Sequence, residues 1–108
     1  MKLFFENISE NHKVSMDFPL ESTLEQALDV FENLPQMDGS TFGLLLEDGT
    51  LVQFQKYNRF FWLVEIPDFV QHGTFQALCN VHQCVRLLTE MFNGADPKEV
   101  CEFRFQSH

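Results

Sequence analysis

The chain has 108 residues and a formal net charge of −9, a length that suits one domain with one hydrophobic core. Its acidic balance argues against recognition of nucleic acid through phosphates, which draws on Lys and Arg. It points to a basic partner, or to an acidic surface that simply keeps the protein in solution.

Three cysteines, Cys79, Cys84 and Cys101, lack the close regular spacing of a disulfide framework. The N-terminal Met1–Glu6 stretch has no long apolar signal core, and no run of eighteen apolar residues occurs. The expected setting is cytoplasmic, reducing and away from membrane. Thirteen of the aromatics are Phe, with Trp62 and Tyr57 besides. Phe has no polar handle, so most of these rings are expected in the core.

Leu3–Ile8 predicts a first strand and Ser9–His12 a turn. Val14, Met16 and Phe18 alternate with Ser15 and Asp17, the period of a half-buried second strand that pairs with the first. Ser22 and Glu25 fit a capping box. Leu24, Ala27, Leu28, Phe31 and Leu34 then predict an apolar helix face over 23–34, ended by Pro35. Gln36–Ser40 is a loop.

Thr41–Pro67 is the organising stretch and predicts three antiparallel strands: Thr41–Leu46, Leu51–Tyr57, and Phe60–Ile66 closed by Pro67. Asp48-Gly49 between two apolar runs predicts a type I′ hairpin turn, and Asn58, tolerant of left-handed geometry, the second turn. In the middle strand Val52 and Phe54 face one way and Gln53, Gln55 and Tyr57 the other, so one sheet face is expected buried and one wet. Thr74–Cys79 predicts a fourth strand. Asn80 and Gln83 form a second capping box, opening a helix over 80–93 with Val81, Cys84, Val85, Leu88, Met91 and Phe92 as its stripe. Asn93-Gly94 ends it and Pro97 prevents its resumption. Val100–Phe105 predicts a last strand, with Cys101, Phe103 and Phe105 on one face. The order ββαββββαβ predicts a single α+β domain over 1–108, a two-layer fold with a mainly antiparallel sheet and two helices on one face. Leu28, Phe31, Val85, Leu88 and Phe103 are its expected core.

No residue pattern carries a recognised chemistry. Cys79, His82 and Cys84 invite a metal reading, but a structural zinc site wants four ligands in tight pairs, so no metal or cofactor is expected. Pairing Cys101 with His72 or His82 as nucleophile and base lacks any local signature. The five glycines form no phosphate-binding loop. The chain is therefore expected to be non-enzymatic. The Phe60-Phe61-Trp62 run is more telling, because alternation puts a large ring opposite its neighbours. That ring either meets a partner or is covered by a loop or a second copy of the chain, a homodimer.

Ser40-Thr-Phe-Gly-Leu-Leu-Leu46, Asp48-Gly49, Leu63-Val-Glu-Ile-Pro67, Gly73-Thr-Phe75 and Met91-Phe-Asn-Gly94 resemble the middle of small bacterial immunity proteins. These are encoded beside polymorphic or contact-dependent toxins and neutralise them in the cytoplasm. The resemblance covers about residues 40–94 and implies a non-enzymatic inhibitor that binds a cognate toxin domain and occludes its active cleft. It assigns no individual residues. The acidic balance suits a basic toxin such as a nuclease, with no nucleic acid or membrane as direct partner. Asp38, Glu47, Asp48, Glu65 and Asp68 are the candidate acids for that contact, and Tyr57 or Trp62 the candidate aromatic anchor. The alternatives are an acidic inhibitor or DNA mimic acting on another nucleic-acid enzyme, and a small ligand-binding domain or enzyme with a pocket between sheet and helices.

Overall fold

Alternating apolar and polar side chains along residues 41–79 build four consecutive strands. A computed structural model, which describes residues 1–7, 12–34 and 40–108, places them in the middle of one sheet. The strands are β1 (Lys2–Asn7), β2 (His12–Val14), β3 (Leu20–Glu21), β4 (Thr41–Leu45), β5 (Leu51–Lys56), β6 (Trp62–Asp68), β7 (Gly73–Cys79) and β8 (Arg104–Ser107). The helices are α1 (Leu24–Glu32), α2 (Val81–Phe92) and α3 (Pro97–Val100). The sheet order is β2-β1-β4-β5-β6-β7-β8, with β3 also on β1, and every pairing described is antiparallel. The fold is α+β, with α1 and α2 on one face of a mainly antiparallel sheet. Among the described residues no helix is long and apolar enough to cross a membrane.

The inner face follows from the register. Phe5, Phe42, Phe54, Val64 and Ala77 stand side by side across five strands, and Lys56, Trp62 and Cys79 form a neighbouring row. All of these are buried. Phe31 of α1 plugs the space above them. Its ring centroid lies 5.7 Å from Phe42, 5.9 Å from Phe54 and 5.0 Å from Trp62. Cys84, Leu87, Leu88 and Met91 are the buried face of α2. Leu28, Val85 and Phe103, expected in the core, sit half-buried at its margin, while Leu87 is central and Val81 is exposed.

Long-range contacts correct several local readings. Thr23, not Ser22, caps α1: its Oγ1 accepts from the Gln26 N–H at 3.2 Å, and Gln26 Oε1 accepts from the Thr23 N–H at 3.0 Å. Ser22 is held instead by Met1, just before β1, its N–H donating to Met1 O at 2.9 Å. The helix itself ends at Glu32, with Asn33 as its cap. The second strand stops at Val14. Met16 and Phe18 are exposed in a turn where the Phe18 N–H reaches Ser15 O at 3.1 Å. The β4–β5 turn is not type I′. Among the described turn residues only Gly49 has positive φ, at 90°, and the Gly49 N–H bonds Leu46 O at 3.0 Å. This is the three-residue loop in which a left-handed glycine follows a type I turn.

Asn58 is not left-handed either. Its Oδ1 accepts from the Phe60 and Phe61 N–H groups, both at 2.9 Å, and keeps those two residues in the loop. β6 therefore starts at Trp62 and runs through Pro67 to Asp68. The missing proline N–H costs nothing there, because the β5–β6 pairing ends at Glu65. Pro97 stops α2 but opens α3, where Asp96 Oδ1 accepts from the Lys98 N–H at 3.0 Å. That extra turn delays the last strand from residue 100 to residue 104.

On the outer face Phe4 lies flat over Gly43, where any Cβ would fall within the ring. Gln53, Glu65, Gln76 and Arg104 continue the row across the sheet, so this face is wet, as alternation predicts.

Lys56 brings a charged group to the inner face. It is buried, with Nζ 5.0 Å from the Trp62 ring centroid. Burial holds its pKa below the usual lysine value, and nearby Cys84 opposes this. Between that lowered pKa and 10.5 the unfolded chain binds more protons, so this group makes stability rise with pH across that window. Lys56→Met keeps the apolar stem and removes the charge. It is expected to flatten that rise, read by chemical denaturation at several pH values. A rise of unchanged slope would show that another titrating group sets it.

Candidate functional site

An antiparallel meander puts alternate turns at the same end of the sheet. The β4–β5 loop, carrying Glu47 and Asp48, therefore meets the β6–β7 loop, which begins at Asp68. The start of α3, led by Asp96, closes the third side. Together they line a groove of about 930 Å³. Two cationic groups share it: Lys98, whose Nζ lies 4.5 Å from the Phe75 ring centroid, and the Met1 ammonium, 3.3 Å from Glu21. Four acids against two cations leave the rim acidic.

Three of these carboxylates also build the walls. Asp48 Oδ1 accepts from the Thr50 N–H at 2.9 Å. Asp68 Oδ1 accepts from the Val70 and Gln71 N–H groups, both at 3.0 Å, and Oδ2 accepts from Gln71 Nε2 at 2.9 Å. Asp96 caps α3. The N–H bonds, from Thr50 to Asp48 and from Gln71 to Asp68, hold both carboxyls below their ordinary pKa. Both acids stay charged well below neutral pH.

Of the residues singled out from sequence, Glu47, Asp48 and Asp68 come together here. The others do not. Tyr57 is exposed, but it follows β5 at the opposite end of the sheet, about 20 Å away by strand length. Glu65 lies on the outer face, accepting from Gln76 Nε2 at 3.0 Å, and borders a smaller groove of about 360 Å³. Trp62 is 1% exposed in the core and is no surface anchor. Asp38 lies outside the described residues.

Comparison with protein-family models, curated protein sequences and solved structures finds no match to this chain.

Two features of the groove escaped the sequence reading. Asp96 sits where a helix stop was expected. Phe69 and Val70, at the tip of the β6–β7 loop, are 82% and 89% exposed. The available signal was two adjacent apolar residues inside a turn whose flanking strands already alternate correctly.

The thiols lie apart from this end. Cys79, Cys84 and Cys101 converge behind the sheet, with the Cys84 Sγ 3.8 Å from Cys79 O. Hydrogen bonds from the Cys84 thiol, and then from Cys101, draw the Cys79 pKa down to about 7 against the effect of burial. The Cys84 thiol is pushed up by its bond to Cys79, and burial lifts Cys101 to about 11. His82 is exposed on α2, and among the described residues no group of three or more His, Cys, Asp or Glu is placed to hold a metal.

Proposed function

We propose that this chain is a non-enzymatic immunity protein. It binds a cognate bacterial toxin domain and occludes that domain's active cleft. The observation that carries this reading is the convergence of Glu47, Asp48, Asp68 and Asp96, from three separate chain segments, around one groove on a protein of net charge −9. Such a rim complements a basic domain, and nucleases present basic clefts because their substrates are polyanions. The likeness of residues 40–94 to small immunity proteins supports the same assignment. Between α1 and the sheet the space is filled by Phe31, Phe42, Phe54 and Trp62, so a ligand pocket is not expected under that helix.

The test is co-expression with the C-terminal domain of the neighbouring reading frame. Protection of cells from that domain, together with a stoichiometric complex of the purified proteins, is the expected result. Unprotected cells and no complex would sink the proposal.

A further inference from the structure

We infer that Phe69 and Val70 form a preorganised apolar anchor that inserts into a pocket on a basic protein domain, with the acidic groove rim pairing the Lys and Arg residues around that pocket. The inference rests on the proposed binding function and names the part of the surface that holds the partner.

The tip is ordered without help from its apolar side chains. Asp68 ties down the Val70 and Gln71 N–H groups. His72 turns the chain through a left-handed conformation at φ 55°, and its carbonyl accepts from the His108 N–H at 2.8 Å. Asp68 and Gly73 pair as the last rung of the hairpin. Polar bonds set the backbone, and the two apolar side chains are left facing water. Burying them contributes little to this fold, so their exposure is explained by a surface that covers them in a complex.

The surroundings decide what kind of surface that is. Glu47, Asp48 and Asp96 share the groove with the two side chains. A second copy would bring one acidic rim against another, each on a chain of net charge −9, and an anionic membrane would be repelled likewise. A basic protein is attracted by the rim and desolvates the tip. An apolar anchor within a polar ring is the arrangement in which a few residues carry most of a binding energy. Holding the tip in shape beforehand lowers the ordering cost of association.

The experiment measures binding of the intact chain to the purified C-terminal domain of the neighbouring reading frame by surface plasmon resonance. The double variant Phe69→Ala/Val70→Ala is expected to weaken the complex about 30-fold or more, almost wholly through faster dissociation, with its melting temperature unchanged. The Phe69→Trp variant is expected to shift its emission to the blue on complex formation. Binding by the double variant within about threefold of the parent would overturn the anchor and leave the proposed function standing. Absence of any complex with the parent chain would overturn both. Self-association abolished by the double variant, or uptake by phosphatidylcholine vesicles, would overturn the assignment of a basic protein as the occupant.

Discussion

Phe31→Ala is expected to destabilise the protein by about 3–5 kcal/mol, the upper part of the range for large-to-small core changes. The reason is its position. α1 has nine residues, too few to be stable alone in water, and it holds to the sheet through a narrow apolar face. Phe31 is the centre of that face, with Phe42, Phe54 and Trp62 around its ring at centroid distances between 5.0 and 5.9 Å. Those neighbours sit on three different strands, and the paired backbone of β4, β5 and β6 keeps them from closing on a cavity. Domains of this size have a total stability of about 5–15 kcal/mol, so the variant is expected to be partly unfolded at 37 °C. Equilibrium denaturation with the parent as reference measures the loss. A value below about 1 kcal/mol would mean that α1 slides over the sheet and refills the space.

What could be read from the residues alone separates by the range of the interaction. Asn80 and Gln83 cap α2 as their spacing predicts, and the helix ends at Phe92, followed by the Asn93 cap and a left-handed Gly94, with the Ala95 N–H reaching back to Glu90 O, because every partner lies within a few residues. At the other helix two overlapping boxes compete, Ser22 with Glu25 and Thr23 with Gln26. The choice falls to the Met1 carbonyl, which claims the Ser22 N–H from about twenty residues away in sequence. The Phe60-Phe61-Trp62 run was ambiguous for the same reason. Alternation says only that neighbours oppose each other. The Asn58 side chain decides that Phe60 and Phe61 stay in the loop and Trp62 enters the core.

The groove was half legible. Turns at Asp48 and Asp68 fall at one end of any four-stranded meander, and Tyr57 falls at the other, so the grouping of the acids follows from topology. Asp96 required knowing that the chain returns from α2 over the same end, which no local pattern states. Phe69 and Val70 were hidden by the expectation that apolar side chains serve the core.

Charge reversal at the groove tests whether the acids steer the partner in. Glu47→Lys/Asp48→Lys is expected to slow association with the basic domain by about tenfold or more at low salt, and to flatten the dependence of that rate on ionic strength. Dissociation should change far less, because exposed rim charges act mainly on encounter. Asp68 fixes the β6–β7 tip, Asp96 caps α3 and Asp48 accepts from the Thr50 N–H in the β4–β5 turn, so reversing any of these couples steering to loss of shape. Glu47→Lys alone separates the two, and the double variant counts only where its melting temperature matches the parent's. Glu65→Lys is the control, since it alters charge on the outer face, away from the groove. The two positions can be told apart because screening confines each charge to about 8–10 Å at physiological salt. Slowing per reversed charge that is equal at the two positions would mean that only the net charge attracts the partner. Slowing by Glu65→Lys alone would move the docking surface to the outer face of the sheet, beside Gln53 and Gln76.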